Sequence, residues 1–118
     1  MTESQLQSKI CDYLQKAGYC FSRINNTPVF DPKRKIFRSM GKYVMRGFPD
    51  IVVIVCGRFV GLEIKSERGR QSDAQKLAQE RIEKAGGYYC LINNWQEFSD
   101  RFIPKCIYAP QKPLPNKS

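Results

Sequence analysis

The chain has 118 residues, one domain's worth, with twenty Lys and Arg against eleven Asp and Glu, a net charge of +9, and no histidine. That excess points to a polyanionic partner, since each phosphate neutralised releases counterions; the alternative, a solubilising surface, mixes its signs more evenly. The missing histidine excludes the commonest general base and the Ser-His and Cys-His nucleophile pairs, so any catalysis falls to carboxylates, lysine and a metal.

Thr2 to Ala17 has the pattern of an amphipathic helix, with a capping box in Thr2-x-x-Gln5, a stripe of Leu6, Ile10, Tyr13, Leu14 and Ala17, and a stop at Gly18. Glu3 falls within the arc of that stripe and Gln7 borders it; an acid in the first turn is also what the helix dipole favours. Phe21 to Asn25 reads as a short strand with Arg23 and Asn25 on one face. Residues 27 to 46 are the least regular part, with a turn at Asp31-Pro32-Lys33 and hairpin arms in Val29-Phe30 and Ile36-Phe37. Lys33, Arg34, Lys35, Arg38, Lys42 and Arg46 crowd this segment, interleaved with Phe30, Phe37, Tyr43 and Phe48. Such a mixture suits contact with a nucleic-acid backbone and stacking at a distorted base; a solvated hairpin whose aromatics belong to the core is the other reading.

The centre of the chain is Gly47 to Lys65. Ile51 to Val55 and Arg58 to Ile64 form the arms of a hairpin, and a two-residue loop at Cys56-Gly57 pairs positions whose numbers sum to 113. Asp50 then falls opposite Glu63, with Lys65 on the same side. Two facing carboxylates repel, whereas a hard divalent cation between them reverses the sign. A plain ion-pair cluster of Asp50, Glu63 and Lys65 is the other reading of the spacing. Both hairpin faces are apolar, the mark of a sheet covered on both sides.

Ser66 to Gln71 is a polar loop carrying Arg68 and Arg70, placed to grip phosphates. Ser72 to Ala85 is a second helix with Ala74, Leu77, Ala78, Ile82 and Ala85 as its apolar stripe, and Ser72-x-x-Gln75 as a capping box. Tyr88 to Asn93 is a strand, and Asn94 caps a short helix from Trp95 to Phe102 that ends at Pro104. The domain therefore spans residues 1–103, and 104–118 is a proline-bearing tail. The five cysteines (Cys11, Cys20, Cys56, Cys90, Cys106) show no C-x-x-C spacing; without histidine they make a zinc site improbable and read as reduced, mostly buried side chains of a cytoplasmic protein. The polar N-terminus does not read as a signal peptide, and no apolar run approaches the ~20 residues of a membrane span.

Pro49-Asp50 followed by Glu63-Ile64-Lys65 resembles the PD-(D/E)XK nuclease signature. With Gly47-Phe48, Ser66, Gly69-Arg70 and Ser72-Asp73-Ala74-Gln75 added, the pattern resembles the VRR-NUC family of that superfamily, from Glu3 to about Asn93. The resemblance implies an α/β restriction-endonuclease-like core, a central mixed β-sheet flanked by helices, in keeping with the order of elements read above. It implies Mg²⁺ or Mn²⁺ held by Asp50, Glu63 and the Ile64 backbone carbonyl, with Glu3 helping through water. Lys65 would position or activate water and Gln75 would orient it, a role that competes with the helix cap. It implies hydrolysis of DNA phosphodiesters with no organic cofactor, in a small free-standing protein of phage type, located in the cytoplasm (the host's if phage-encoded). Branched or duplex DNA is the expected partner. The expected activity is that of a Holliday-junction resolvase acting as a homodimer, a symmetry that suits paired cuts on a four-way junction. Flap, splayed-arm or nonspecific cleavage, and a non-catalytic DNA-binding module, are the alternatives.

Overall fold

A computed structural model describes residues 1–24, 30–37 and 42–108. Helix α1 (Glu3–Lys16) starts at the expected capping box: Gln5 N–H donates to Thr2 Oγ1 at 3.1 Å, and Thr2 N–H to Gln5 Oε1 at 2.8 Å. Strand β1 (Cys20–Arg23) follows, then a separate two-stranded hairpin of β2 (Phe30–Asp31) and β3 (Ile36–Phe37), paired Phe30 to Phe37 and Asp31 to Ile36. The central hairpin is β4 (Ile51–Val55) and β5 (Arg58–Ile64), and every observed pair between them sums to 113, from Ile51–Leu62 to Val55–Arg58. Its two-residue turn has both central residues at positive φ, 53° at Cys56 and 80° at Gly57, which matches the twist of the flanking strands.

Helix α2 (Asp73–Lys84) carries the chain from β5 to β6 (Tyr88–Ile92), which runs parallel to β5 and needs such a crossover. Strand order is β1-β4-β5-β6, a four-stranded mixed sheet flanked by three helices, so the protein is α/β. One face buries Ile51, Val53, Val55, Val60, Leu62, Ile64, Cys90 and Ile92 against Leu6, Ile10 and Leu14 of α1 and Phe98 and Phe102 of helix α3 (Trp95–Tyr108). Each such aliphatic or aromatic side chain contributes roughly 1.5–3 kcal/mol on burial. Tyr13 joins the two helices, edge-on to Trp95 and Phe98.

The opposite face departs from expectation. It is covered by α2, which buries Ala78 and Ile82 but leaves Ala74, Ala85 and Leu77 (57% exposed) outside, and by Phe48 and Pro49 over Phe59 and Gly61. A helix resting on a sheet through one row of i, i+4 residues uses a narrower strip than its apolar stripe. On the β1–β4 half of that face, Ile54 remains 44% exposed beside Cys20, so a two-sided apolar strand pattern overstated the cover. Helix α3 continues past Pro104 to Tyr108, beyond the expected end at Phe102 and across the expected domain boundary. A proline past the first turn removes one backbone hydrogen bond, which a helix seated by Phe98 and Phe102 can forgo. Cys11, Cys20, Cys56 and Cys90 form no disulfide; Cys90 is the one buried among them, a correction to the expectation that most would be. Among the described residues no helix is long and apolar enough to cross a membrane. Asn25, Arg38 and residues 109–118 lie outside the described residues.

Candidate active site

The antiparallel register carries one position beyond β4 and sets Asp50 against Glu63. Asp50 is fixed from two sides: its Oδ2 accepts the Ile64 N–H at 2.8 Å, and its carbonyl accepts the Ile24 N–H at 2.7 Å. The chain reaches it through Gly47, at φ 76°, where a Cβ would lie 2.5 Å from the Ala74 carbonyl carbon at the start of α2. Pro49 is buried over Gly61, whose own Cβ would meet the proline ring at 2.4 Å. These close approaches press the Gly47–Asp50 segment between α2 and β5.

Glu63 is 2% exposed, the one charged residue type fully buried among the described residues. Burial is the main force on its carboxyl, followed by a hydrogen bond to Asp50 and the charges of Asp50 and Glu3, with Lys65 opposing; together they push its pKa up to about 9. Its Oε1 is buried with no hydrogen-bond partner among the described residues. Such an acceptor costs roughly 1–3 kcal/mol. A hard divalent cation fits this donor set: it would satisfy the orphaned oxygen and offset the repulsion between the carboxylates. Among the described residues no three of Asp, Glu, His and Cys form a group that could hold a metal ion; a pair of carboxylates is within the one or two that Mg²⁺ commonly takes beside water and phosphate. Glu3 is exposed in the first turn of α1 and reaches Glu63 through its charge.

Lys65 is half-buried; its N–H donates to the Ile92 carbonyl at 2.9 Å, and its ammonium is close enough to favour the ionised form of Glu63. Beyond it the loop turns back, with Gly69 N–H donating to the Ser66 carbonyl, and exposes Arg68 and Arg70. Asn93 pins this loop: its Nδ2 donates to the Ser66 carbonyl at 2.8 Å and the Gly69 carbonyl at 3.1 Å. Gln75 is committed to the helix cap, its Oε1 accepting the Ser72 N–H at 2.8 Å while Ser72 Oγ accepts the Gln75 N–H at 3.2 Å. The same helix start abuts Gly47, three residues before Asp50.

The basic and aromatic groups that precede the central hairpin are spread over several elements. Arg23 pairs with Ile51 and so faces α1, where it donates to Gln7 Oε1 at 3.2 Å, on the side of the sheet away from the carboxylates. Lys33, Arg34 and Lys35 are exposed at the β2–β3 turn, and Lys42 and Arg46 are exposed ahead of Gly47. Tyr43 is 92% exposed with the Lys42 ammonium 5.6 Å from its ring. Phe48 packs edge-on against Phe59, 5.7 Å between centroids, and belongs to the sheet.

Two side chains with no local sequence signal join the site. Tyr89 faces Gly61 across the parallel β5–β6 pair and is 6% exposed; burial raises its phenol to about 12, with the charges of Glu63 and Asp50 adding. Gln71 approaches the phenol and pulls the other way, but its Nε2 is spent on Gln79 Oε1 at 2.8 Å and the Gln75 carbonyl at 3.5 Å. The Tyr89 hydroxyl is left without a well-formed hydrogen bond among the described residues. No protein-family model matches the chain, and neither a curated protein nor a solved structure matches it.

Proposed function

We propose that this protein is a divalent-cation-dependent DNA endonuclease of the VRR-NUC type, acting on branched DNA as a homodimeric Holliday-junction resolvase. The observation that carries the reading is the buried Glu63 carboxyl held against Asp50 with an oxygen unpartnered, an arrangement that stability alone disfavours. Asp50 and Glu63, with the Ile64 carbonyl, would hold Mg²⁺ or Mn²⁺. The bound cation would supply Lewis-acid stabilisation of charge developing on the phosphoryl group. The Ile64 N–H fixes the Asp50 carboxylate so that its second oxygen stays aimed at the site. Lys65 places a positive charge beside Glu63, where it opposes the upward push of burial on that carboxyl and would orient an attacking water. The Ser72–Gln75 cap fixes the start of α2 against Gly47, so a catalytic Gln75 would act at the expense of that bond. Arg68 and Arg70 are exposed in the loop that follows Lys65, and Lys33, Arg34, Lys35, Lys42 and Arg46 are exposed as well; these cations would contact the DNA backbone.

Cleavage of a labelled four-way junction, set against its linear duplex arms, in Mg²⁺, Mn²⁺ or EDTA tests this with wild type and Asp50→Ala. Paired, metal-dependent cuts on the junction alone, absent in the variant, are expected. Metal-dependent cutting of flaps, splayed arms or linear duplex instead would keep the nuclease and discard the junction. Binding without cleavage in any metal would overturn the catalytic assignment in favour of a DNA-binding module.

A further inference from the structure

Phe59, Gly61 and Glu63 alternate along β5, so Phe59 shares a face of the sheet with the carboxylates, four residues away from Glu63. There a cavity of about 400 Å³ lies between β5, the end of α2 and the segment that leads to Asp50. That volume is within the roughly 300–1,000 Å³ of small-molecule sites. Met45, Phe48, Phe59 and Ile82 form its apolar walls, and Arg81 and Ala85, both exposed, line it from the end of α2. Phe48 and Phe59 meet edge to face, 5.7 Å between centroids, and both stay half-buried with ring surface on the cavity. Glycine at 87 holds another side back: a Cβ there would lie 2.8 Å from Ile82 Cγ2 and 3.2 Å from Phe59 Cδ1. Among the described residues the lining carries one cation and no acid.

We propose that this cavity takes one unpaired base of the DNA strand whose phosphate lies at Asp50 and Glu63. Aromatic walls beside an arginine suit a base: the rings stack on its face, and the guanidinium adds a cation–π contact or meets the adjoining phosphate. An apolar side chain of a protein partner would fill the walls and leave Arg81 without a role; a nucleotide answers to both, in a chain of net charge +9. At about 3.3 Å per residue, Phe59 lies roughly 13 Å along β5 from Glu63. That is about four base steps of a stacked duplex, so the captured base belongs to a nucleotide within about four of the cut. A base enters such a cavity only out of its pair, which is cheapest where pairing is already broken. The cavity thereby favours branched DNA over linear duplex. This rests on the reading of the carboxylate pair as the cleavage site.

The test compares binding of an oligothymidylate with binding of an abasic sugar-phosphate strand of equal length and charge, by fluorescence anisotropy in EDTA, where no cleavage occurs. Wild type should prefer the thymidine strand about fivefold or more, the least that stacking one base gives. Ala85→Leu fills the cavity from an exposed position and should erase the preference while leaving abasic affinity within about twofold, with urea unfolding close to wild type. Arg81→Gln should weaken the thymidine strand more than the abasic one, whereas Lys84→Gln, an equal loss of charge outside the lining, should weaken both alike; this pair decides if Ala85→Leu fails to fold. A preference that survives both Ala85→Leu and Arg81→Gln, or that is lost instead in Tyr43→Ala, would overturn the cavity as the base site. Equal binding of the two strands by wild type would overturn it too and leave the nuclease reading standing. No binding of either strand or of a four-way junction would overturn the DNA reading itself, and the base site with it.

Discussion

Glu63→Gln should flatten the pH dependence of stability of the metal-free protein between about pH 5 and 9. The folded carboxyl holds its proton up to about 9, against 4.5 for the ordinary group. Between those values the folded chain carries a proton that the unfolded chain has released. Folding is therefore favoured by protons, and its free energy falls as pH rises through the window; the contribution is intact only below 4.5. At about 1.4 kcal/mol per pH unit, Glu63 costs on the order of 3 kcal/mol by pH 7 and about twice that by pH 9. That is a large share of the roughly 5–15 kcal/mol by which domains are stable. Glutamine has nearly the same shape and no proton to lose. Urea unfolding in EDTA at five pH values, followed by circular dichroism, should show wild type falling relative to Glu63→Gln by roughly 1 kcal/mol per unit. Mg²⁺ or Mn²⁺ should then raise wild type more at pH 8 than at pH 5, because a cation must displace the proton at low pH, and leave the variant unmoved. Parallel curves for the two proteins in EDTA would refute the reasoning: Glu63 would ionise in the folded chain as it does in the unfolded one.

Other variants separate chemistry from packing. Asp50→Asn keeps an acceptor for the Ile64 N–H and should abolish cleavage while leaving DNA affinity within about twofold, read by gel shift; Asp50→Ala should behave likewise and also cost roughly 1–3 kcal/mol by orphaning that amide. Neutralising Lys33, Arg34 and Lys35 together should weaken DNA binding and lower the slope of log K against log salt by up to about 2.7, at ~0.9 per phosphate contact. An unchanged slope would remove the β2–β3 turn from the interface. Gln75→Ala should cost about 1 kcal/mol of stability through the lost half of the capping box, with a proportionately small change in rate. A hundredfold fall in rate on a normally stable fold would instead make Gln75 catalytic.

The parts of the fold that sequence makes legible are those set by neighbouring residues. Cys56-Gly57 dictates a two-residue loop, and a hairpin's loop length fixes its register, so the meeting of Asp50 and Glu63 follows from arithmetic. The two capping boxes are equally local, each spanning four residues. Pattern reading fails where a face is chosen by a distant partner. Leu77 completes the α2 stripe by spacing yet stands outside, because the helix is turned to bury the row through Ala78 and Ile82. Arg23 lies near the site in the chain's order of strands, but its register with Ile51 turns it to the α1 face.

Tyr89 shows why the rest of the site is hidden. An antiparallel hairpin announces its register through its turn, whereas β6 pairs with β5 in parallel after the whole of α2. Nothing between Ser66 and Gly87 counts out which residue of Tyr88-Tyr89-Cys90 lands beside Gly61; the packing of α2 decides it. A slip of one residue would bring Tyr88 to the carboxylates and send Tyr89 into the α1–α3 core. The polar neighbours of Glu63 therefore come from two sources: Asp50 by local register, Tyr89 by tertiary packing. The first is readable from nineteen contiguous residues, Gly47 to Lys65. The second needs the finished fold, which is why the carboxylate pair is visible in the chain and the buried phenol near it is not.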